Sequence, residues 1–204
     1  MSTNCYVLDP LAVNPIDRSV TKLLYVSVAR YSAEWHSILH THPCAEVFFV
    51  TGGRGHLKLA DGRLPINVGD FIIVNSNVEH TEVSSEEHPL EYIVMGVDGL
   101  EALSGDDGGQ GYSIVHFQSE TEQLLFYLKS LLKEIETHLP GYNIICQDIL
   151  EVILLQLMRR SEFTVTFIPS TRKSSKECAV VRRYIDNHFK ENLTLDELAS
   201  IAHV

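Results

Sequence analysis

Four side chains of metal-binding type lie in two short segments of the chain. The first segment, residues 40–46 (HTHPCAE), carries His40, His42 and Glu46. The second, residues 69–80 (GDFIIVNSNVEH), ends at His80. Because neighbouring strand residues point to opposite faces, His40 and His42 are expected on one face of a strand. Three imidazoles and a carboxylate form a common ligand set for iron, manganese, nickel, copper or zinc.

The same four residues support two other interpretations. Without a metal, they would hydrogen-bond a sugar or another polar metabolite inside a pocket. In a purely structural role, His40 and Glu46 would only fasten turns. Trp35, His36 and Tyr92 are candidates to line the same pocket, and the single tryptophan could stack on a sugar face or lie at the edge of the core. The residue pattern does not by itself require a cofactor. A divalent transition metal is the cofactor that these four side chains would accommodate.

The elements that must position these residues are short strands. Residues 1–117 contain short apolar runs punctuated by Gly, Pro, Asn and Asp. Asp61-Gly62 separates two of these runs and is a strong hairpin signal. Many short strands without helices between them predict a sandwich or barrel. The predicted strands cover residues 22–30, 45–50, 55–59, 64–68, 71–74, 91–97 and 112–117.

The periodicity becomes helical at Ser119, where Ser119 and Glu122 have capping-box spacing. Leucines and isoleucines then recur at helical spacing, and Pro140-Gly141 interrupts the pattern. A second amphipathic helix follows and ends near residues 159–160, so that the pair predicts an antiparallel helical hairpin. Residues 163–175 have the composition of a linker. The apolar stripe of the first helix consists of Leu124, Leu128, Leu131, Leu132 and Ile135.

Two further helices are predicted near the end of the sequence. One covers residues 176–190, and the next begins at Thr194, where Glu197 completes a second capping box. Two such short helices bury too little apolar surface to form a domain. We therefore expect the sequence to be part of a longer protein.

The two histidine segments resemble the two conserved motifs of the cupin superfamily. The resemblance implies a small jelly-roll barrel with His40, His42, Glu46 and His80 pointing into it. The match departs from the family where a Gly usually precedes the first histidine and where Asn75 and Asn77 replace the usual Pro and Gly. These departures hardly affect the barrel prediction, but they weigh against an enzyme.

Residues 184–204 (YIDNHFKENLTLDELASIAHV) resemble the start of the DNA-binding domain of AraC-type transcription regulators. The Tyr-Ile pair, the Asn-containing turn and the Leu-Thr-Leu and Leu-Ala pairs carry the resemblance. It is strengthened by position, since that family places this domain after a cupin barrel and a helical hairpin. Leu195, Leu198, Ala199 and Ala202 would form the apolar stripe of the first helix of a helix-turn-helix. The base-reading second helix is absent from this sequence.

The resemblance implies a mainly β fold with α elements: a cupin (double-stranded β-helix) barrel, a dimerisation hairpin and a truncated helix-turn-helix domain. The predicted units are residues 1–118 (barrel with N-terminal arm), 119–162 (dimerisation), 163–175 (linker) and 176–204. The implied function is sensing of a small effector, with promoter DNA bound by the full-length homodimer. The leucine stripe would form the dimer seam, or it would pack on its own barrel; both roles can hold if one helix packs on the barrel and the other faces the partner.

Composition and charge are consistent with this prediction. Hydrophobic residues make up 45% of the chain and charged residues 21%, which is ordinary for a globular protein. A net charge of −11 argues against DNA binding by this segment alone. No signal peptide or membrane-spanning run is recognisable, and the four scattered cysteines are expected to be free thiols, so that a cytoplasmic location is predicted.

Two alternatives remain at this stage. A metal-dependent cupin enzyme, such as an isomerase or dioxygenase, is favoured by the four candidate ligands and disfavoured by the helix-turn-helix beginning. A module for dimerisation or ligand storage alone would have no DNA-binding continuation.

Overall fold

The computed structural model of the chain describes residues 8, 15–31, 38–60, 62–103, 111–116, 121–159, 164–167, 181, 184–185 and 193–202. The strands are β1 (Lys22–Arg30), β2 (Ala45–Gly52), β3 (Arg54–Leu59), β4 (Gly62–Asn67), β5 (Asp70–Val74), β6 (His80–Ser84), β7 (Glu91–Asp98), β8 (Leu100–Leu103), β9 (Tyr112–His116) and β10 (Thr164–Phe167). The helices are α1 (Thr121–Thr137), α2 (Tyr142–Met158) and α3 (Leu195–Ala202).

The strands form two main antiparallel sheets. The larger has the order β1-β7-β2-β5-β9, and the smaller has the order β4-β3-β6. A separate ladder pairs β8 with β10. All seven predicted strands are present, and Leu59 pairs with Gly62 in the predicted β3–β4 hairpin. The sequence did not reveal β6, β8 and β10, which are four or five residues long.

Strand β2 shows why the five-stranded sheet is central. Val47 and Phe49 belong to the apolar cluster that includes α1 and α2, whereas Phe48 and Val50 belong to the cluster shared with the small sheet. Both faces of β2 are therefore covered, which explains its continuous apolar run. The prediction of a mainly β sandwich or barrel with added helices is confirmed.

The cluster between the two sheets is the interior of this β structure. Residues from β2, β3, β4, β5 and β7 meet there, because alternate residues of each strand point inward. Its buried members are Tyr31, Phe48, Val50, Leu57, Leu59, Ile66, Ile72, Val74, Leu90, Tyr92 and Val94.

The packing of the leucine stripe of α1 corrects the prediction that these leucines form a dimer seam. Leu124, Leu128 and Leu131 are buried in the chain's own core, against α2 and the outer face of the large sheet. Leu132 and Ile135 are partly buried against the same cluster. The first three leucines cannot form a dimer seam without opening that core, so that the packing alternative holds for them.

The segment before β1 is fastened to α2. Arg18 forms ion pairs with Asp148 and Glu151, and the Gln147 side chain accepts a hydrogen bond from Leu23 N–H and donates one to the Thr21 carbonyl. The described end of the predicted N-terminal arm, residues 15–20, therefore lies against a helix of the same unit.

The chain divides into two compact units, Met1–Pro169 and Ser170–Val204. Within the second unit, the predicted capping box is present: the Glu197 N–H donates to Thr194 Oγ1 at 3.2 Å, and the Thr194 N–H donates to the Glu197 carboxylate at 3.3 Å. The other capping box and most of the helix predicted over residues 176–190 lie outside the described residues. None of the described helices is both long and apolar enough to cross a bilayer.

Candidate functional site

The four predicted ligands come together. His40, His42, Glu46 and His80 each offer one donor atom, and these atoms all lie within 4.8 Å of one another. His40 is exposed, His42 is half-buried, and Glu46 and His80 are buried. The cluster thus runs from the surface into the interior, where Glu46 shares a face of β2 with Phe48 and Val50.

Backbone hydrogen bonds hold the two histidine segments side by side. His40 and His80 exchange paired N–H···O bonds of 3.0 Å each, and the Asn77 N–H donates to the His42 carbonyl at 2.7 Å. Asn77 has a φ of 61°, the left-handed conformation that a Gly adopts readily. Asparagine therefore serves the turn at this position, where the cupin motif usually has Gly.

Glu46 is the centre of the cluster. Its Oε2 atom lies 2.9 Å from His80 Nε2 and 3.3 Å from His42 Nε2, and its Oε1 atom accepts a 2.6 Å hydrogen bond from Tyr25. Burial alone would raise the pKa of Glu46, but the hydrogen bonds from His80 and Tyr25 outweigh it and hold that pKa below its usual value. Glu46 is therefore a carboxylate anion.

Tyr25 reaches Glu46 because the strand between them has no side chain at the crossing point. Tyr25 in β1 and Glu46 in β2 are both cross-strand partners of Gly96 in β7. A Cβ atom on Gly96 would lie 2.2 Å from the Tyr25 ring. Sequence reasoning missed Tyr25, since its contact with Glu46 depends on a pairing with β7 that joins distant parts of the chain.

Two imidazoles are oriented by backbone carbonyls. His40 Nδ1 lies 2.8 Å from the Ile38 carbonyl, and His80 Nδ1 lies 2.9 Å from the Val78 carbonyl. A carbonyl only accepts, so each Nδ1 carries the hydrogen, which leaves Nε2 of each ring as the nitrogen that can bind a metal. Burial lowers the pKa of His42. Burial also acts to lower the pKa of His80, but its hydrogen bonds to Glu46 and to the Val78 carbonyl outweigh burial and raise that pKa overall.

This arrangement fits a divalent transition metal. In a tetrahedral site with bonds of about 2.1 Å, the donor atoms lie about 3.4 Å apart. The observed donors, all within 4.8 Å of one another, need only a small contraction to reach that spacing. Histidine ligands with Nδ1–H bonded to a carbonyl are also typical of metal sites, where the partner fixes the ring orientation.

A second polar group lies in the interior beside this cluster. Glu82 is buried and accepts a 2.9 Å hydrogen bond from the Tyr31 hydroxyl. The Tyr92 ring lies 6.0 Å from that of Tyr31 and 5.3 Å from that of Phe48. Burial, followed by the charge of Glu82, raises the pKa of both tyrosines, which stay neutral donors.

Of the four interior residues Tyr31, Phe48, Glu82 and Tyr92, sequence reasoning named only Tyr92. Glu82 had a usable signal, because it follows His80 by two residues and so shares its strand face. Trp35 and His36, the other predicted lining residues, lie outside the described residues. The Cys44 thiol is buried, and burial raises its pKa, which removes any sign of a reactive thiolate.

Comparisons with known proteins agree with the sequence resemblance. The family profile described as the AraC-like ligand binding domain matches residues 24–154. The uncharacterized HTH-type transcriptional regulator YbfI of Bacillus subtilis is 26% identical over 169 residues, which cover 79% of this chain and 59% of that protein. The chain thus spans less than two thirds of that relative's length.

Two solved structures give more distant likenesses. ToxT from Vibrio cholerae has a TM-score of 0.44 and 8% identity, covering 92% of this chain and 71% of that chain. A cupin-2 domain containing protein from Shewanella frigidimarina has a TM-score of 0.31 and 20% identity, covering 34% of this chain and 66% of that chain.

Proposed function

Because the chain belongs to the family of AraC-like ligand-binding domains, we propose that it is the effector-sensing and dimerising part of a bacterial AraC-type transcription regulator. Residues 1–118 would form a cupin-type effector domain with its arm, 119–162 the dimerisation helices, 163–175 the linker and 176–204 the start of the helix-turn-helix domain. The full-length protein would bind promoter DNA in the cytoplasm.

The observation that carries this proposal is the polar cluster of His40, His42, Glu46 and His80, which runs from the surface into the interior. Buried polar groups that converge at an accessible point are the usual signature of a ligand site. His40 is exposed, which gives a small molecule a route to the cluster.

We further propose that the cluster holds a divalent transition metal that helps to anchor the effector. His40, His42 and His80 would bind through Nε2 and Glu46 through its carboxylate. A metal ion bound there would supply a positive charge that attracts an oxygen atom of the effector. Tyr25 would keep Glu46 oriented while the metal is bound.

The interior also indicates the chemistry of the effector. The Glu82 carboxylate accepts hydrogen bonds, and the Tyr31 and Tyr92 hydroxyls both donate and accept them. A small hydroxyl-rich molecule, such as a sugar, would match these groups, and the Tyr92 and Phe48 rings would contact its apolar face. The effector would act by shifting the dimer between two arrangements. Such a shift requires that the effector bind one arrangement more tightly than the other.

Dimerisation is proposed to use the exposed apolar residues of the hairpin. Phe126 on α1 is 65% exposed, and Ile144 and Ile145 on α2 are 62% and 44% exposed. Ile144 and Ile145 are neighbours near the start of α2, and Phe126 lies near the start of α1, so each end of the hairpin offers apolar surface to a partner. This surface replaces the seam of Leu124, Leu128 and Leu131.

A metal-dependent cupin enzyme is the second candidate, and the three-histidine, one-carboxylate set is the observation that favours it. The two functions make different demands. A regulator needs reversible binding of an unchanged ligand, whereas an enzyme must turn its ligand over.

The test begins with metal analysis of the purified chain by plasma mass spectrometry, before and after dialysis against chelator. Apo and metal-loaded protein are then screened by thermal shift against sugars and small metabolites, and hits are followed by calorimetry and by product analysis. Saturable binding of an unchanged ligand supports the regulator. Conversion of the ligand supports the enzyme, and a chain that binds no small molecule in either form contradicts both.

A further inference from the structure

The outer face of the three-stranded sheet carries a groove that is separate from the interior site. Its volume is about 370 Å³, at the lower end of the range for small-molecule pockets. Strand alternation turns its side chains away from the interior, since Gly55, Leu57 and Leu59 of β3 are buried. The groove is lined mainly by Arg54, His56, Pro65, Asn67, Ser84 and Ser85.

Positive charge is concentrated on this face, although the whole chain has a net charge of −11. Lys58 and Arg63 are direct cross-strand partners, an arrangement of like charges that destabilises a sheet. Arg54 and His56 continue the basic row along β3. Among the residues that the structure describes, the one ion pair made by Arg54, Lys58 and Arg63 is a 3.5 Å contact between Arg54 and exposed Glu87.

We propose that this groove is a second ligand site, specific for a small phosphate monoester. A phosphate group would be bound by Arg54 and His56, and Lys58 and Arg63 further along the same face would add to the positive potential that attracts it. Arginine suits this role because its planar guanidinium donates two parallel hydrogen bonds to a phosphate. The proposal does not depend on the function proposed for the interior site.

The rest of the groove is built of neutral donors on a fixed backbone. The Ser85 N–H donates to the Arg54 carbonyl at 3.0 Å, which ties one wall to the other. The Ser85 hydroxyl accepts the His88 N–H at 3.4 Å, and this leaves its own hydrogen able to donate. The exposed Asn67 side chain adds an amide donor. Gly55 permits the close approach of β3 and β6, because a Cβ there would lie 2.3 Å from the Val83 carbonyl oxygen.

Shape favours a small ligand over a nucleic acid. Non-specific DNA binding requires many phosphate contacts spread along a basic surface, whereas this face has three permanent cations, of which Arg54 alone lines the groove. A single phosphate group with a small organic substituent matches both the volume and the charge.

Inorganic phosphate is the probe that tests the proposal. The 15N-labelled chain is titrated at constant ionic strength with phosphate or with chloride, and the amide shifts of Gly55, Ser84 and Ser85 are followed. We expect saturable shifts with phosphate alone. Arg54→Gln should weaken binding about tenfold, the usual effect of one charge-assisted hydrogen bond. Arg159→Gln, a matched change at the exposed position that follows α2, should leave binding within about twofold.

The substitution Glu87→Gln is expected to change the phosphate affinity in the opposite direction. Removing the carboxylate that competes for Arg54 should tighten phosphate binding, a gain that a misfolded protein cannot produce. Equal shifts with chloride, equal binding by the Arg54→Gln and Arg159→Gln variants, or shifts caused by duplex DNA but not by phosphate would each overturn the proposal.

Discussion

The Tyr25 hydroxyl donates a 2.6 Å hydrogen bond to Glu46 Oε1, although a whole strand separates the two residues. The bond passes over Gly96, which is the cross-strand partner of both. It occupies one carboxylate oxygen, so that the other faces His42 and His80. The orientation of a central ligand therefore depends on a glycine and a tyrosine from two different strands.

Tyr25→Phe removes this hydrogen bond while keeping the ring. We expect metal affinity to fall about tenfold or more, because partners that orient ligands typically contribute 10- to 100-fold. Calorimetric titration of the chelator-treated chain with Zn²⁺ measures the change. Tyr127→Phe on α1 is the matched control, and an equal effect of the two substitutions would contradict the role of Tyr25.

Gly96→Ala should disturb the same contact by a steric route. The new Cβ would overlap the Tyr25 ring at 2.2 Å, so the ring must move away from Glu46. We expect a lower melting temperature and weaker Zn²⁺ binding. Gly62→Ala, where the new Cβ would meet nothing within 4 Å, is the control. In the double variant with Tyr25→Phe, the losses of affinity should be less than additive, since both act on one contact; full additivity would argue against the shared cause.

The double substitution His42→Ala with His80→Ala should abolish binding of Zn²⁺ and of any effector found in the screen. It removes two of the four proposed ligands, while α1, α2 and the apolar clusters stay intact. Circular dichroism checks the fold, and His138→Ala, at an exposed position after α1, serves as the control. Wild-type effector affinity in the double variant would show that the effector binds elsewhere.

The hairpin offers a test that separates packing from dimerisation. Ile145→Asp should reduce the mass seen by light scattering toward that of one chain, with the fold retained, because Ile145 is exposed. Leu131→Ala should instead lower the free energy of unfolding by about 2–5 kcal/mol, since it leaves a cavity in the core. Val68→Asp, at an exposed position between β4 and β5, is the control for Ile145, and an unchanged mass in the Ile145 variant would exclude this surface.

Local periodicity was enough to predict much of the fold. Strand alternation, helical spacing and turn residues act over a few neighbouring positions, so that seven strands, the helices α1 and α2 and the Thr194 cap are all evident in the amino-acid pattern. Strand β6 was missed because a five-residue run that begins with His-Thr-Glu has no apolar pattern, although it carries two interior residues.

The sequence by itself determined which residue types were available, and the resemblance of the HTHPCAE segment and the later histidine to the cupin motifs predicted the His40, His42, Glu46 and His80 cluster. Tertiary structure alone decided what surrounds it, since Tyr25 and Glu82 reach the interior through pairings between distant strands. It also decided that Leu124, Leu128 and Leu131 belong to the core. An apolar stripe specifies that a helix must be covered, but the nearest available apolar surface determines what covers it, and here that surface is α2 and the core cluster of the chain's own β structure.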